Sequence, residues 1–196
     1  YGVTVANGMI GMVSSKDPLK IGEVVLAGVY DYYKRGRTLN FLPNISPLDL
    51  NVSLDGVTLN RRNITDYTQT LDMKNGEFVG EMEYKGTHVV YRYCSLRHIA
   101  HAVMMEVTVV PDSEVILETT LNHVVPPAFH DARMTSSDLA FNHKKTPPFK
   151  VMTTAAMSPT DRVKTAASSF FLFPEEDITL PVHYRIEDSD KHSMSF

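Results

Sequence analysis

The hydrophobic pattern of this chain repeats mainly every two residues, which is the period of a β-strand. Within 102–110 every second position from Val103 onward carries a bulky apolar side chain, and polar residues such as Glu106 lie between them. The segment 115–121 repeats this alternation. Because alternate side chains of a strand point to opposite faces, both segments are predicted to be strands with one buried face. Pro111-Asp112-Ser113 has the composition of a turn, so we expect the two strands to form a hairpin.

Short alternating segments with tight turns also fill the chain between residues 48 and 93. Three of the turns contain glycine, which readily adopts the positive φ angles of tight hairpins: Asp55-Gly56, Lys74-Asn75-Gly76 and Lys85-Gly86. Five or six short strands joined in this way are typical of a meander. We therefore predict an all-β fold of mostly antiparallel strands, arranged as a two-sheet sandwich.

The last third of the sequence has a less regular pattern. The stretch 126–148, which contains two Pro-Pro pairs and two histidines, is expected to be a long surface connection with at most a short helical turn at 135–142. The apolar segments 151–156 and 163–173 predict two further strands. The acidic residues at 175–177 suit the first turn of a helix.

The length of the chain suits one domain. A chain of 196 residues buries roughly 70% of the surface that its unfolded form exposes, which is enough for a sizeable core. We expect residues 1–186 to form the sandwich. The polar residues 187–196 are expected to be a frayed, flexible tail.

Charge and cysteine content narrow the classes of function. The formal net charge is −4, whereas nucleic-acid-binding surfaces are usually basic, so nucleic acid is not expected as a partner. No apolar run approaches the roughly 18 residues that span a bilayer. The single cysteine, Cys94, rules out an internal disulfide. It leaves the compartment open, either cytoplasmic or periplasmic or secreted in a bacterium.

Histidine is frequent enough for metal binding to be considered. His98 and His101 are three residues apart, a spacing that places them on opposite faces if the stretch is a strand. His123, His130 and His143 fall in a stretch that reads as irregular. No cysteine or carboxylate at a standard spacing completes a ligand set, so we expect core or surface histidines and no metal site.

Carboxylates and the thiol give no catalytic pattern either. Glu81 and Glu83 share one face of a predicted strand, opposite Phe78 and Met82. That arrangement is typical of a solvated strand face rather than of a paired acid and base. Cys94 lies within another alternating strand and is expected to be a structural thiol without reactivity. We predict no catalytic residue in this chain.

Tyr30, Asp31 and Tyr32 form an aromatic and acidic cluster, and Asn44 follows a short distance later. Sugars commonly stack on aromatic rings while Asp and Asn hold their hydroxyl groups. These four residues are the candidate substrate-binding residues of the sequence. The alternative is that the tyrosines pack at the edge of the sandwich or at an interface with another domain. The absence of tryptophan weakens the case for a carbohydrate platform that works alone.

Several blocks of the sequence, in order, resemble the N-terminal part of family 65 glycoside hydrolases and disaccharide phosphorylases. The matching blocks are 6–11 (Ala-Asn-Gly-Met-Ile-Gly), 26–31 (Leu-Ala-Gly-Val-Tyr-Asp), 42–44 (Leu-Pro-Asn), 48–59, 64–67, 70–76 and 92–96. Each block is weak alone, and their order and spacing carry the resemblance. Ala6 and Lys74 depart from the family pattern, in which Gly and Arg stand at these places.

The resemblance implies a super-sandwich of the galactose-mutarotase-like type, followed in the whole enzyme by a helical linker and an (α/α)6 barrel. In that family a glutamic acid of the barrel acts as the general acid, and phosphate or an activated water is the nucleophile. By this resemblance the chain is a non-catalytic N-terminal domain of an enzyme that acts on α-glucosides. It would support the missing barrel and form a homodimer. It would bind no cofactor, and phosphate would be a possible substrate of the full-length enzyme.

Two other functions stay open at this point. One is an independent carbohydrate-binding module. The other is an enzyme like the aldose mutarotases, which use a His and a Glu that face each other in a concave sheet. His88, His101 and Glu106 lie near predicted strands, but nothing in the sequence pairs them. The sequence does not decide between a phosphorylase and a hydrolase.

Overall fold

The computed structural model describes the backbone of residues 2–34, 36, 38–139, 149–170, 182–186 and 192–195. Every regular element in these ranges is a β-strand, and every pairing between strands is antiparallel. The predicted fold class, an all-β antiparallel sandwich, is therefore confirmed. The described ranges contain no helix that is long and apolar enough to cross a membrane.

The strands form four sheets. Sheet A has the order β1 (Thr4–Ala6), β2 (Ile10–Ser14), β3 (Ile21–Tyr32) and β4 (Leu39–Asn44). Sheet B has the order β15 (Val182–Ile186), β11 (Val115–Val124), β5 (Ser46–Leu54) and β6 (Val57–Thr58). Sheet C has the order β16 (His192–Ser195), β10 (Val103–Val110), β9 (Thr87–Ser95), β8 (Glu77–Tyr84) and β7 (Thr65–Asp72). Sheet D consists of β12 (His130–Leu139), β13 (Phe149–Met157) and β14 (Lys164–Phe170).

The main core is built from the inward faces of sheets A, B and C. In β9 the buried residues alternate with less buried ones along the whole strand, and Tyr91 and Tyr93 are among the largest fully buried side chains. The inward residues of β5 and β10 join the same cluster. The period-two pattern seen in the sequence is thus the pattern of this core, because each strand turns one face inward.

The predicted tight turns are confirmed where the structure describes them. Asp55 and Gly56 both have positive φ angles, 50° and 75°, between strands β5 and β6. Lys85 and Gly86 repeat this geometry, with φ angles of 47° and 83°, between β8 and β9. Positive φ at both central residues is the requirement of the hairpin turn that the two dipeptides predicted.

The predicted hairpin between 102–110 and 115–121 is wrong. Both segments are strands, β10 and β11, but β10 pairs with β9 and β16 in sheet C, whereas β11 pairs with β5 and β15 in sheet B. Residues 111–114 therefore cross from one sheet to the other. Alternation predicts that a segment is a strand with one buried face, and it does not identify the neighbour of that strand.

Residues 126–148, which were expected to be a surface connection, contain strand β12. The helical turn expected at 135–142 is wrong for residues 135–139, which belong to this strand. Residues 131–136 of β12 are all exposed, so neither face of the strand needs apolar residues. A strand without a buried face leaves no alternation in the sequence. The predicted strands 151–156 and 163–173 correspond to β13 and β14. Residues 171–173, and the helix expected at 175–177, lie outside the described ranges.

The expected tail at 187–196 is described only at residues 192–195. There the backbone forms strand β16, paired with β10 from Glu106 to Val109. This part of the tail is an edge strand of sheet C rather than a frayed end, because its backbone groups complete the edge of β10. The domain boundary between 1–186 and 187–196 stays a prediction.

Replacing Gly80 by alanine should destabilise the core. A Cβ atom at this position of β8 would lie 2.2 Å from the ring of Tyr91, its partner on β9. Tyr91 is fully buried and its hydroxyl group is 2.7 Å from that of Tyr67, so the ring cannot move away freely. We expect Gly80→Ala to lower the free energy of unfolding by about 2 kcal/mol, a value typical of overpacking. Urea denaturation followed by circular dichroism measures the change.

Gly11→Ala in strand β2 is the matched control. The nearest atom to a Cβ there is the Ala6 Cβ at 3.5 Å, an ordinary van der Waals contact. Its free energy of unfolding should change by about 0.5 kcal/mol or less. Equal losses in both variants would show that Tyr91 does not constrain residue 80.

Candidate functional site

The hairpin formed by β3 and β4 carries the four candidate substrate-binding residues. The register pairs Tyr30 with Phe41, Asp31 with Asn40 and Tyr32 with Leu39. Because side chains of a strand alternate between faces, Asp31 points to the face opposite the two tyrosines that flank it. The hairpin therefore has an inner face, which carries Asp31, and an outer face, which carries the tyrosines.

The inner face packs against sheet D and the segment that precedes it. Val29 and Leu42 of the hairpin form a second, smaller core with three partners further along the chain, Ala128, Phe129 and Ala156. This apolar contact places the loop between β13 and β14 directly beneath Asp31.

Asp31 is fully buried, and its carboxylate is satisfied by four hydrogen bonds. Ser158 Oγ donates to Oδ2 over 2.5 Å, and the backbone N–H of Thr160 donates to the same oxygen over 3.0 Å. The Thr160 hydroxyl and the backbone N–H of Tyr32 donate to Oδ1. Ser158 Oγ also accepts from the backbone N–H of Val163, so the loop is closed around the carboxylate. We call Asp31, Ser158 and Thr160 the Asp31 clamp.

The Asp31 clamp favours the ionised carboxylate. Burial alone acts to raise the pKa of Asp31, since water no longer solvates the charge. The hydrogen bonds from Ser158, Thr160 and the Tyr32 backbone outweigh burial, and they hold the pKa well below its usual range. The clamp is thus a charged structural joint between the hairpin and sheet D.

Asn44 is also turned inward. It is 3% exposed, and its Oδ1 accepts a hydrogen bond from the backbone N–H of Ile45 over 2.9 Å. Its Nδ2 has no hydrogen-bond partner among the described residues. Neither Asn44 nor Asp31 therefore presents its polar group at the surface of the hairpin.

The outer face of the hairpin is aromatic and exposed. The rings of Tyr30 and Phe41 are in contact, with centroids 4.5 Å apart and planes tilted by 43°. Phe41 is 58% exposed, and Leu39 is exposed beside the half-buried Tyr32. The Arg162 guanidinium lies 5.3 Å from the centre of the Tyr32 ring.

The structure thus brings together two of the four candidates, Tyr30 and Tyr32, and separates them from Asp31 and Asn44. Sugar binding by these residues stays a prediction. The sequence reasoning missed Phe41 and Leu39, although they alternate in β4 as the tyrosines do in β3. It also missed Ser158 and Thr160, because no local pattern relates residues that lie about 130 positions from Asp31.

The histidines that were considered as metal ligands lie in separate places. His98 and His101 are exposed in the loop between β9 and β10. His130 Nδ1 and Nε2 each lie 3.2 Å from a carboxylate oxygen, of Asp131 and Asp161 respectively. Within the described ranges no group of His, Cys, Asp or Glu side chains has the geometry to hold a metal ion. His143 lies outside those ranges.

His123 is part of strand β11 rather than of an irregular stretch. It is buried, with Nδ1 2.8 Å from Thr154 Oγ1 and Nε2 2.6 Å from Ser169 Oγ. We call these three residues the His123 bridge, which ties β11 to sheet D. The alternation from Val115 through Leu121 continues inward to His123, and this continuation was the signal in the sequence. Burial lowers the pKa of His123, so its neutral form is favoured.

The other residues weighed for catalysis, Glu81, Glu83 and Cys94, lie in surroundings that indicate structural roles. Glu81 is exposed and Glu83 is half-buried, on the strand face opposite the buried Phe78 and Met82, as predicted. Burial, followed by the nearby Glu77, raises the pKa of the Cys94 thiol, which keeps it in the unreactive protonated form.

The residues considered for a mutarotase-like site, His88, His101 and Glu106, all lie in the described ranges and form no hydrogen bond or ion pair with one another. His88 Nδ1 lies 2.6 Å from Glu83 Oε1, on the half-exposed surface. Glu106 pairs with Arg92 in the register of β9 and β10, four residues along the strand from His88. At about 3.4 Å per residue, this places their backbones roughly 14 Å apart along the strand.

Comparison with known proteins gives one consistent match. A family model described as the N-terminal domain of glycosyl hydrolase family 65 matches residues 3–188. A kojibiose hydrolase of Flavobacterium johnsoniae is 41% identical over 200 aligned residues, which cover all of this chain and 29% of that protein. A kojibiose hydrolase of Mucilaginibacter mallensis is 34% identical over 198 residues, with the same coverage of 100% and 29%.

These matches agree with the antiparallel sandwich and with the ordered sequence blocks. The chain is a β-sandwich domain of a kind found in glycosyl hydrolases. It belongs to the family of N-terminal domains of glycosyl hydrolase family 65, and it spans less than a third of the length of the curated relatives it matches.

Replacing Asp31 by asparagine should break the Asp31 clamp. The amide removes the charge and turns an NH₂ group toward donors, which leaves buried groups unsatisfied. We expect Asp31→Asn to lower the free energy of unfolding at pH 7 by about 3 kcal/mol. The folded-state pKa of Asp31 is depressed, so its contribution is complete above the unfolded pKa of about 3.9 and is lost as the pH falls below it. Urea denaturation at pH 7 and pH 3 measures both effects.

Asp17→Asn is the control for this experiment, because Asp17 is an exposed aspartate. It should leave the free energy of unfolding within about 0.5 kcal/mol of the unmodified chain at both pH values. The clamp would be disproved if the two variants had the same stability at pH 7.

The His123 bridge should make stability depend on pH in the weakly acidic range. The folded-state pKa of His123 is depressed by burial, so the neutral side chain stabilises the fold fully above the unfolded pKa of about 6.5. This contribution decreases as the pH falls below that value, because the unfolded chain then binds the proton more readily. We expect His123→Gln to lose stability at pH 7.5 and to show a flatter stability profile between pH 7.5 and 5.

His98→Gln is the matched control, since His98 is exposed in a loop. Its pH profile should follow that of the unmodified chain. An unchanged profile in His123→Gln would show that another group produces the dependence.

Proposed function

We propose that the full-length protein is a hydrolase that cleaves the disaccharide kojibiose, and that this chain supports its catalytic part without contributing the catalytic groups. The observation that carries the proposal is the coverage of the match. Both relatives bear the name kojibiose hydrolase, and both align with every part of this chain through only 29% of their own length. On this proposal the catalytic groups lie in the larger part of such an enzyme, which does not align with this chain.

The side chains described here support a non-catalytic role. Inverting glycoside hydrolysis uses two carboxyl groups roughly 6.5–9.5 Å apart across the sugar, and one of them must be able to donate a proton. Asp31, the buried aspartate of the hairpin, is held ionised by four internal hydrogen bonds and has no free access to a ligand. Glu81 and Glu83 lie on the solvent side of β8.

The supporting role fits the construction of the domain. A sandwich with a large shared core gives a rigid body, and the Asp31 clamp and the His123 bridge fix sheet D against it. A rigid neighbour can hold loops of a catalytic domain in place at little entropic cost. Homodimer formation, which the family resemblance implies, stays a prediction.

A second candidate function is sugar binding by the chain itself, and the exposed rings of Tyr30 and Phe41 favour it. Aromatic rings provide the apolar surface on which a sugar ring stacks. The tilt of 43° between the two rings and the inward direction of Asp31 and Asn44 reduce what this surface can offer a hydroxyl-rich ligand. We therefore favour support of the catalytic part over sugar binding by this chain.

The full-length enzyme should release glucose from kojibiose, whereas residues 1–196 alone should release none. The measurement is glucose formation by a coupled assay, run with and without inorganic phosphate in excess over the substrate. Water is the expected nucleophile, so phosphate should not change the rate.

Two outcomes would contradict the proposal. Formation of glucose 1-phosphate only when phosphate is present would identify a phosphorylase. Binding of kojibiose to residues 1–196 in a calorimetric titration, abolished by Tyr30→Ala and kept by the control Tyr84→Phe, would favour the sugar-binding module.

A further inference from the structure

Three connections of the sandwich meet at one end of the molecule. Asn7, in the turn between β1 and β2, donates from Nδ2 to the carbonyl oxygen of Leu96 over 2.7 Å. Leu96 begins the loop between β9 and β10. A Cβ atom on Gly76, in the turn between β7 and β8, would lie 3.2 Å from Arg97 Nη2 of the same loop. The three connections are therefore in contact or adjacent.

The β3–β4 hairpin extends past the same end. Strand β3 pairs with β2 up to Leu26, which lies opposite Ile10, and the next N–H of β3, from Ala27, donates to the carbonyl oxygen of Met9. From there β3 continues for five more residues beyond the β1–β2 turn, to Tyr32. The aromatic outer face of the hairpin thus projects at the end where the three connections meet.

This end carries many exposed apolar side chains. Each of the three connections presents one of them at or near its tip, namely Met9, Met73 and Ile99. Met73 is 82% exposed, the largest exposure of any large apolar residue in the described part of the chain. Together with the exposed residues on the outer face of the hairpin, they make up what we call the apolar end: Met9, Tyr30, Leu39, Phe41, Met73 and Ile99.

The opposite end of the sandwich differs. There the exposed large apolar residues are fewer, namely Val3, Val57 and Ile116, and the N–H of Asp55 donates to the carbonyl oxygen of Ile116. Single exposed apolar residues are normal on protein surfaces, whereas a contiguous group rimmed by polar residues marks an interaction site.

The rim of the apolar end carries charges of both signs. Lys74 lies in the β7–β8 turn, and Arg97 lies in the β9–β10 loop together with the exposed His98 and His101. Asp72 and Glu77 flank the same β7–β8 turn, and the Asp72 carboxylate accepts hydrogen bonds from the backbone N–H groups of Lys74 and Asn75 and from the side chain of Asn75. An apolar centre with a polar, charged rim is the usual composition of an interface between proteins.

The apolar end is also held in shape before any partner binds. Asp72 fixes the β7–β8 turn, Asn7 joins the β1–β2 turn to the β9–β10 loop, and the Asp31 clamp fixes the hairpin from its inner face. A surface that needs no ordering loses less entropy when it becomes an interface.

We propose that the apolar end is the surface on which the rest of the same polypeptide packs in the full-length enzyme. The proposal rests on the function proposed above. The relatives place 71% of their length outside the part that aligns with this chain, so in those enzymes each copy of the domain has a large covalently attached partner. Attachment gives that partner a high effective concentration, which favours it over a second copy of the chain.

The first test measures the exposure of Met73 in the full-length enzyme. Methionine oxidation follows solvent access, so a covered Met73 should react with hydrogen peroxide at least about tenfold more slowly in the native enzyme than in the enzyme unfolded in urea. Peptide mass spectrometry reads the sulfoxide at this residue. Oxidation of Met73 at the same rate in both states would overturn the proposal.

The second test places a charge on each end of the sandwich in the full-length enzyme. Met73→Glu and Phe41→Glu should open the contact, and trypsin should then separate this domain from the rest of the chain about tenfold faster. The controls are Val57→Glu and Ile116→Glu, which alter exposed apolar residues at the opposite end and should leave the cleavage rate unchanged. Equal rates in all four variants would contradict the proposal.

These measurements separate the proposal from the function on which it rests, because neither requires a substrate. Slow oxidation of Met73 in an enzyme that does not cleave kojibiose would support the packing surface and reject the activity. Protection of Met73 that disappears on dilution, together with a change of sedimentation in Met73→Glu, would identify a second copy as the occupant and overturn the proposal.

Discussion

The buried charge of Asp31 is the interaction on which the arrangement of the hairpin and sheet D depends. A carboxylate without water is stable only if hydrogen bonds replace its hydration, so the loop that carries Ser158 and Thr160 must lie against β3. This requirement fixes residues that are far apart in the sequence. It also decides the direction of the neighbouring side chains, because Tyr30 and Tyr32 must then face outward.

The His123 bridge adds polar contacts to the apolar contacts that attach sheet D. Its imidazole contacts hydroxyl groups of β13 and β14, while the small core around Val29 and Phe129 supplies the apolar contact. Hydrophobic contact alone tolerates sliding between surfaces, whereas hydrogen bonds at two separate points define a position. Sheet D is therefore fixed relative to the hairpin, which keeps the outer aromatic face in one orientation.

Local features of this fold could be predicted from the sequence, and pairings between distant strands could not. The turns at Asp55-Gly56 and Lys85-Gly86 are specified by the φ angles that glycine allows, which is local information. The alternation in β10 and β11 identified two strands with buried faces, but both sheets offer the same apolar surface. The chain therefore gave no indication that residues 111–114 cross between the sheets. Strand β12 was missed for the opposite reason, since exposure of residues 131–136 removes the pattern itself.

Part of the candidate site could also be predicted from the sequence. Once β3 is recognised as a strand, a period of two already places Asp31 opposite Tyr30 and Tyr32, so the three cannot hold one ligand together. The partners of Asp31 could not be found in this way, because a buried carboxylate specifies donors and not their positions in the sequence. What remains on the outer face is apolar and aromatic, and its polar groups are the tyrosine hydroxyls and the nearby Arg162 guanidinium, since Asp31 and Asn44 point inward. Such a surface has much to gain from contact with another apolar surface and few groups with which to recognise hydroxyls, which is why packing against protein explains it better than binding of sugar.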